Sequence, residues 1–254
     1  MKITLLGSGT SQGIPVIGCD CDACMSKDSR DDRLRSGVCI EAEDVNVLID
    51  TGPDLRQQIL RVGLKRVDAV LYTHEHNDHV VGLDDIRPFN FMQRREMPFY
   101  GHPRVLKDIE RRFSYVFTEN PYPGAPRATL NYVNPGDILR IGSLNITVIE
   151  VMHGTLPVYG YRFGDFTFIT DASYIGEQSK DLIRGSKVLV LSALQKESHH
   201  SHYNLQEAID VILEMEIEKA YLTHISHRMG PTKQWEKELP NHIFPAYDGL
   251  EIRL

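Results

Sequence analysis

Short apolar runs separated by polar turns recur along the chain and predict a protein rich in β-strand. Glu43-Asp44 forms a tight turn between two of these runs. Phe163-Gly164-Asp165 interrupts the longest run, which therefore reads as a hairpin. The residues predicted to form strands are 2–6, 38–42, 45–49, 67–73, 145–151, 158–170, 188–191 and 220–222.

Helical patterns are fewer, and the clearest begins at Asn204. Asparagine is a good N-cap, Glu207 follows three positions later as in a capping box, and apolar residues then keep helical spacing. Further helices are predicted near 54–62, 104–115 and 174–183. Because the strands fall into two halves, each ending in a helix, the pattern predicts two sheets packed together with helices outside.

Two segments between these elements predict long loops, which in compact domains are usually functional or disordered. Residues 7–37 carry several glycines followed by three cysteines, and residues 114–136 carry four prolines with Tyr115, Phe117 and Tyr122. These aromatic side chains can form a wall for a sugar or base, or they can pack under the loop. The chain has no repeat, low-complexity tract or clear linker, so residues 1–254 are expected to form one domain.

Composition narrows the class of protein. The chain has 254 residues, of which 41% are hydrophobic and 25% charged, as in ordinary globular proteins. Its net charge of −7 gives no general attraction for nucleic acid or for an anionic membrane. There is no secretory apolar region and no run long enough to span a bilayer, so the expected location is the cytoplasm.

The polar sequence after the strand at 67–73 is the strongest sign of function. Residues 74–79 read HEHNDH and place His74, His76 and His79 close to Asp78. Buried ionisable groups are costly unless they are paired or bound to metal, and no packing requirement accounts for so many of them here. The cluster therefore predicts a divalent-cation site that activates water for hydrolysis.

Three further residues fit the same site. Each of His153, Asp171 and His224 comes just after a predicted strand, where a coherent arrangement of strands brings them to one rim. Taken alone, each is most often a cap or turn residue. Together with the cluster at 74–79, they predict that ligands from several strand ends hold two adjacent ions.

The HxHxDH pattern at 74–79 resembles the signature of the metallo-β-lactamase superfamily, and further landmarks match in order. These are Asp50 within LIDTG, then His153, Asp171 and His224. The resemblance covers nearly the whole chain. It implies an α/β fold with four layers, the αββα sandwich, and two metal ions at one edge.

The resemblance also implies a role for each residue. One ion would have three imidazole ligands, those of His74, His76 and His153. The other ion would have two imidazole ligands and a carboxylate, those of His79, His224 and Asp78. Asp171 would bridge the ions, and Asp50 would orient a ligand imidazole, although it can equally be a turn former. Nitrogen and carboxylate ligands suit zinc or manganese. A hydroxide shared by the ions would attack phosphorus in line.

A second metal site is predicted in the loop at 7–37. Cys19, Cys21 and Cys24 form a CxCxxC pattern, and in a reducing compartment clustered cysteines are more often metal ligands than disulfides. A structural zinc needs a fourth ligand, for which His227 is the candidate. The alternative is a reduced, metal-free loop with His227 at the surface.

The combination of HxHxDH, CxCxxC and a THISH segment is similar to the PhnP-type phosphodiesterases, whose opening loop the sequence GSGTSQGIP at 7–15 also resembles. This resemblance implies hydrolysis of a small phosphodiester, such as a cyclic ribose phosphate or nucleotide. It also implies that a structural zinc anchors the loop at 7–37.

Other polar residues are candidates for contact with the substrate. Asp78 and His202 are expected to act in catalysis, His202 by contacting the phosphate or protonating the leaving oxygen. The alternative is that His202 is a surface residue of a histidine-rich loop. Arg33 and Arg35 follow the cysteines and are candidates for binding a substrate phosphate.

Two other functions are compatible with the sequence. A tRNA 3′-processing endonuclease shares the signature but needs an inserted arm to grip tRNA, for which segment 114–136 is short. A non-catalytic carrier like the PqqB proteins also has the fold and a cysteine zinc, but such carriers tend to lose ligands, and all seven are present here. The expected partners are a small phosphodiester substrate and a second copy of the chain in a homodimer. Neither a membrane nor a nucleic-acid polymer is expected.

Overall fold

The computed structural model describes all residues 1–254 and contains fourteen strands and seven α-helices. The strands in chain order are β1 (Lys2–Gly7), β2 (Gly37–Glu41), β3 (Asn46–Ile49), β4 (Ala69–Leu71), β5 (Met97–Gly101), β6 (Ala128–Tyr132), β7 (Ile138–Ile141), β8 (Leu144–His153), β9 (Leu156–Phe163), β10 (Phe166–Ile169), β11 (Val188–Ser192), β12 (Lys219–Thr223), β13 (Ile243–Pro245) and β14 (Glu251–Arg253). The α-helices are α1 (Leu55–Val62), α2 (Asn77–Val80), α3 (Arg87–Gln93), α4 (Pro103–Arg112), α5 (Glu177–Ile183), α6 (Leu205–Glu214) and α7 (Thr232–Trp235). Short 3₁₀ turns form at Ser29–Asp31, Leu83–Ile86, His227–Met229 and Glu236–Glu238.

The strands form two seven-stranded sheets with the same pattern of directions. The order is β14-β1-β2-β3-β4-β5-β6 in the first sheet and β13-β12-β11-β10-β9-β8-β7 in the second. In the first sheet, pairing is antiparallel from β14 to β3 and parallel from β3 to β6. In the second, it is antiparallel from β7 to β10 and parallel from β10 to β13.

The largest hydrophobic core lies between the two sheets. Along β3, Val47 and Ile49 point into this core, where they join Phe163 and Phe168 of the second sheet. Leu48 points the other way, into a separate core under the helices. This alternation is what a strand buried on both faces requires.

Helices cover the outer face of each sheet. Leu55 of α1 and Ile109 of α4 pack against the first sheet, whereas Ile183 of α5 and Ile209 of α6 pack against the second. The layers therefore run helix, sheet, sheet, helix, and the predicted αββα sandwich is confirmed. None of the seven helices combines the length and the hydrophobicity needed to cross a bilayer.

Most predicted elements are present with shifted ends. The best example is α6, which follows a complete capping box: Asn204 Oδ1 accepts from the Glu207 amide at 2.9 Å, and Glu207 Oε2 accepts from the Asn204 amide at 2.9 Å. The prediction for 67–73 was too long, because only Ala69–Leu71 pair as a strand.

The prediction of a loop throughout 114–136 was wrong, because this segment contains β6. Tyr115 and Phe117 pack against the helix-covered face of the first sheet, and Tyr122 is 51% exposed. These contacts favour packing under the loop over an aromatic wall for a substrate.

Candidate metal centres

Five strand ends bring ionisable side chains to one edge of the sandwich. Asp50, His74, His153, Asp171 and His224 lie at, or within three residues of, the carboxyl ends of β3, β4, β8, β10 and β12. Within the first sheet β3 and β4 are parallel, and within the second β8, β10 and β12 run in the same direction. The strand directions thus deliver all five residues to the same rim.

The backbone turns sharply at three of these residues. Asp50, Asp171 and His224 have φ angles of 65°, 55° and 56°, in the left-handed region that side chains other than glycine seldom adopt. Only two other non-glycine residues in the chain, Arg94 and Glu216, share this conformation. Such strain is retained where the surrounding structure enforces it, and it concentrates at functional sites.

The short helix α2, which carries Asp78 and His79, is fixed against the loop after β3. The Thr51 amide donates to the His79 carbonyl at 2.7 Å, and the Gly82 amide donates to the Thr51 carbonyl at 2.9 Å. A Cβ atom on Gly82 would overlap the carbonyl oxygen of Gly52, so only glycine allows this approach. The HxHxDH segment is thereby held rigidly beside Asp50.

The Asp171 carboxylate lies at the centre of the rim. Its Oδ2 is 3.3 Å from His79 Nε2, and its Oδ1 is 3.2 Å from His224 Nε2. On the other side, His79 Nε2 is 3.2 Å from Asp78 Oδ2. Asp78, His79 and His224 form one group of potential metal ligands whose donor atoms all lie within 4.8 Å of one another.

The other predicted ligands, His74, His76 and His153, also lie near Asp171. His74 Nε2 is 3.0 Å from His76 Nδ1, and the His76 and His153 rings are 5.2 Å apart between centroids. His74 groups within 4.8 Å with His79 and Asp171, and His153 does so with Asp171 and His202. The trio His74, His76 and His153 does not form one such group by itself. The structure instead joins His74 and His153 through Asp171.

Four of the imidazoles are held by a contact to the ring nitrogen that faces away from the rim. His79 Nδ1 donates to Asp50 Oδ2 at 2.7 Å, and His153 Nδ1 donates to the carbonyl oxygen of Ser201 at 2.6 Å. Two further Nδ1 contacts, to hydroxyl oxygens, are those of His74 to Thr73 at 2.9 Å and of His224 to Ser36 at 3.3 Å.

These contacts set the tautomers. The Thr73 hydroxyl donates to Asp50 Oδ2 at 2.8 Å, so it must accept from His74 Nδ1–H. Nε2 of His74 is then left without a proton and with its lone pair directed inward. His153 Nδ1 likewise donates its proton to a carbonyl, so Nε2 is the ring nitrogen that faces the rim. Bonds of this kind fix ligand imidazoles in metal sites.

Electrostatics within the rim favour metal-binding protonation states at five of the seven predicted ligands. Burial lowers the pKa of His74, His76 and His224, so these rings are neutral. Burial acts to raise the pKa of Asp78, but the neighbouring His79 overcomes this and holds it well below its usual range. For Asp171, His224 and His79 overcome burial in the same way.

His79 carries a positive charge at this rim when no ion is bound. Burial would lower its pKa, but Asp78, Asp171 and Asp50 raise it well above the ordinary value. Its Nε2 is nevertheless buried without a hydrogen-bond partner. A cation placed between these carboxylates and imidazoles fits this unpaired atom, and the nitrogen and oxygen donors suit zinc or manganese.

The three clustered cysteines and His227 meet at a second site. His227 Nδ1 lies 3.2, 3.5 and 3.7 Å from the Sγ atoms of Cys19, Cys21 and Cys24. A tetrahedral zinc with bonds of about 2.3 Å to sulfur and about 2.0 Å to nitrogen separates such atoms by about 3.6 Å. The four donors therefore fit zinc geometry.

His202 lies beside the rim, with Nδ1 3.7 Å from Asp171 Oδ1 and its ring centroid 4.4 Å from that of His153. Burial and the adjacent imidazoles, His224 first among them, lower its pKa to about 3, so it is neutral near pH 7. The structure places His202 at the floor of an open cleft of about 300 Å³ and not on the outer surface.

The two arginines that were predicted to bind a substrate phosphate lie in different surroundings. Arg33 is only 2% exposed, and its guanidinium donates to Ser8 Oγ at 2.8 Å, the Ala246 carbonyl at 2.6 Å and Thr232 Oγ1 at 2.9 Å. This corrects the expectation of a phosphate contact, because Arg33 joins distant segments inside the fold. Arg35 is partly exposed and paired with Asp54 at 3.0 Å, and its phosphate contact stays a prediction.

Sequence reasoning missed Arg228, an exposed cation in the same cleft as His202. It also missed the hydroxyls of Thr73 and Ser36, which fix two imidazoles at the rim. Thr73 could have been noticed because it precedes His74 directly. Arg228 could have been noticed in the same way because it follows His227 directly, whereas Ser36 carries no local signal, since only the tertiary structure brings it to the site.

Comparison with known proteins agrees with this geometry. Residues 45–225 match the family model described as the β-lactamase superfamily domain. The crystal structure of a diphosphatase from the PhnP family superposes with a TM-score of 0.93 and 36% identity, covering 100% of this chain and 97% of that one. A ribonuclease Z from Methanopyrus kandleri is 26% identical over 88% of this chain and 92% of its own length.

A longer relative also matches. A protein from Porphyromonas gingivalis named octanoyltransferase is 40% identical over 99% of this chain, but the chain spans only 51% of that protein's length. That name therefore describes a protein about twice as long. The family match and the full-length likeness to a PhnP-family structure show that the chain belongs to the β-lactamase superfamily and, within it, to the PhnP family.

Proposed function

We propose that the chain is a metal-dependent phosphodiesterase that holds two divalent ions at the rim and cleaves a small phosphodiester. The observation that carries the proposal is the position of Asp171. Its two carboxylate oxygens face different imidazoles, His79 at 3.3 Å and His224 at 3.2 Å, with further nitrogen donors on both sides. A carboxylate so placed is suited to bridge two cations.

The proposed ligands divide between the two ions. His74, His76 and His153 would hold one ion, Asp78, His79 and His224 would hold the other, and Asp171 would contribute a carboxylate oxygen to each. Small movements are needed on the first side, where His76 reaches His74 but not the shared group. When bound, such a pair of ions supplies a hydroxide nucleophile near neutral pH and stabilises negative charge on phosphorus.

The chain's own residues contribute positioning and hydrogen bonds. Asp50, Thr73, Ser36 and the Ser201 carbonyl hold the imidazoles in the orientation that ion binding needs. His202 is neutral, so its ring N–H can donate to a phosphate oxygen or to the leaving oxygen from the cleft side.

We further propose that Cys19, Cys21, Cys24 and His227 bind a structural zinc. Backbone bonds already tie the loop at 7–37 to the turn after β12, with the Thr10 amide donating to the Ile225 carbonyl at 3.1 Å. A zinc at the cysteines would lock the same two segments. This role is one of stability, since a structural zinc contributes folding free energy.

The substrate class is supported by the cleft and by the PhnP-family relative. The open space beside the rim is about 300 Å³, which suits a small molecule. The full-length structural relative at 36% identity is named a diphosphatase, so a phosphoric-anhydride diester is as fitting as a cyclic ribose phosphate. We propose hydrolysis over acyl transfer, because the octanoyltransferase name belongs to a protein of which this chain spans about half.

A tRNA-processing nuclease is the second candidate, favoured by the match to a ribonuclease Z along nearly its full length. Segment 114–136 argues against it. Part of this segment forms β6 beside β5, and Val116 and Ala125 are buried, so no long arm projects from it. We also propose that residues 1–254 act as one domain in the cytoplasm.

The proposal is tested with purified protein and bis(p-nitrophenyl) phosphate. Metal analysis is expected to find about three ions per chain, and cleavage is expected to stop after chelation and to return with manganese or zinc. One ion per chain, with no cleavage when manganese is added, would favour a non-catalytic carrier. Cleavage of pre-tRNA but not of small diesters would favour the nuclease.

A further inference from the structure

A polar cleft opens beside the rim and extends to the cysteine–histidine cluster. His202 lines it next to the rim and His227 lines it next to the cysteines. Its lining includes one apolar side chain, that of Leu194, and no aspartate or glutamate. The chain has 35 acidic and 28 basic residues. A cleft lined by an arginine and by no carboxylate is suited to an anionic ligand.

Several donors in this cleft have no partner in the protein. The Gln195 side chain makes no internal hydrogen bond although the residue is only 5% exposed. The Gln12 amide and the Arg228 guanidinium, also in the lining, make no hydrogen bond or ion pair. The Gln195 amide opens onto the cleft, where it is free to donate to a ligand with acceptor oxygens.

The backbone at Arg228 is fixed by neighbouring residues in the chain. Its amide donates to Ser226 Oγ at 3.2 Å, and Met229, which follows it, is 2% exposed. His227 precedes it and is fixed among the cysteines, while His224 lies four residues earlier at the rim. The turn from His224 to Arg228 therefore connects both candidate metal centres to the positively charged side chain in the cleft.

The inner end of the cleft reaches the rim itself. Thr10 lines the cleft, and its Oγ1 lies 3.2 Å from His224 Nε2. A ligand that fills the cleft can therefore extend to a phosphate group bound at the rim. Two adjacent places for anionic groups fit a substrate with two neighbouring phosphoryl groups.

We propose that the cleft binds the second phosphoryl group of a diphosphate diester, with Arg228 as the cation that recognises it and Gln195 and Gln12 as hydrogen-bond donors. The inference rests on the proposed function, which places the attacked phosphorus at the rim. Arginine presents a fork of N–H donors that matches phosphate oxygens. In the reaction, water oxygen forms a new bond to the rim phosphorus and the bridging P–O bond breaks. The departing phosphate keeps the bridging oxygen, and two monophosphate esters result.

Steady-state kinetics on two substrates test this assignment. Bis(p-nitrophenyl) phosphate carries one phosphoryl group, and P1,P2-di(adenosine-5′) diphosphate carries two. Arg228→Ala is expected to lower the ratio of kcat/KM for the diphosphate to that for the monophosphate by about 10- to 100-fold, because it removes a charge-assisted contact to phosphate. The loss is expected mainly in KM, and Arg228→Lys is expected to recover part of it.

Lys196→Ala is the matched control, since it removes one positive charge beside Gln195 from a side chain that is exposed and paired with Glu238 at 2.9 Å. This variant is expected to keep the wild-type ratio. An unchanged ratio in Arg228→Ala would overturn the assignment, as would a wild-type protein that cleaves the monophosphate diester but not the diphosphate. Absence of metal-dependent cleavage of both substrates would instead count against the proposed function itself.

Discussion

Asp50 Oδ2 lies 2.7 Å from His79 Nδ1, and both side chains are almost completely buried. The same carboxylate accepts from the Thr73 amide and hydroxyl, each at 2.8 Å, and that hydroxyl lies 2.9 Å from His74 Nδ1. Asp50 is therefore positioned to orient imidazoles on both sides of the rim. Its left-handed backbone conformation is what directs the carboxylate to them.

This arrangement predicts the effect of Asp50→Asn. The amide preserves the size of the side chain but removes the charge that orients His79, so metal affinity and kcat/KM should fall by about 10- to 100-fold. Competition with a chromophoric chelator measures the affinity, and bis(p-nitrophenyl) phosphate measures the rate. Glu43→Gln, an exposed change of the same kind, is the control and should behave as the wild type. Equal affinity in Asp50→Asn would show that Asp50 is only a turn former.

Removing a proposed ligand should have a larger effect on activity than on the fold. Asp78→Ala or His76→Ala is expected to lower kcat/KM by at least about 1000-fold, because the loss of an ion forfeits several kcal/mol of transition-state stabilisation. Metal analysis should find about one ion fewer per chain, while circular dichroism stays unchanged. A variant that keeps its ions and most of its activity would contradict the ligand assignment.

The raised pKa of His79 predicts that ion binding depends on pH. Burial opposes the shift, but Asp78, Asp171 and Asp50 keep His79 protonated in the metal-free protein. Because its folded pKa lies above the unfolded value near 6.5, the proton stabilises the metal-free fold below that pH. This contribution is lost as the pH rises through the folded pKa.

An ion must displace the same proton from His79. Titration calorimetry of metal-depleted protein, in two buffers of different ionisation enthalpy, should therefore show proton release and tighter binding from pH 6 to pH 8. His74 and His224 are already neutral and should add little to the release. Affinity that does not change over this range would contradict a protonated His79.

The cysteine cluster should matter chiefly for stability. Cys21→Ser is expected to remove one zinc per chain and to lower Tm by about 10 °C, since a loss of several kcal/mol shifts Tm by about 2–4 °C per kcal/mol at this size. Cys39→Ala is the control, because Cys39 is buried in β2 outside the cluster, and it should keep all the zinc. Loss of activity in Cys21→Ser at unchanged Tm would contradict the proposed structural role.

The sequence predicted best those helices and strands whose ends are fixed by residues close together in the chain. The N-cap at Asn204 predicted the start of α6, because both halves of a capping box lie within four residues. The helix α3 was not predicted, because Phe91 and Met92 are about 60% exposed and blur the amphipathic pattern. The strand β6 was not predicted either, since it lies at a sheet edge and none of its residues is fully buried.

The residues of the candidate site likewise fall into those that the sequence predicted and those that it could not. His74, His76, Asp78 and His79 are close in sequence, so their clustering was visible before the fold was known. The role of Arg33 could not be inferred from its position in the sequence. Two of its buried partners, Thr232 and Ala246, lie more than 190 residues further along the chain, and the third is Ser8. Arg228 was missed for a different reason, because the cleft that it lines forms only when residues 10–12 and 194–202 meet the turn after β12.

The central claim is that side chains from four strand ends, those of β4, β8, β10 and β12, hold a pair of ions around Asp171. Anomalous diffraction from crystals grown with zinc or manganese tests it most directly. The account predicts two anomalous peaks about 3.5–4 Å apart at the rim, one on each side of the Asp171 carboxylate, and a third peak among Cys19, Cys21 and Cys24. A rim without anomalous signal in protein that cleaves bis(p-nitrophenyl) phosphate would contradict it.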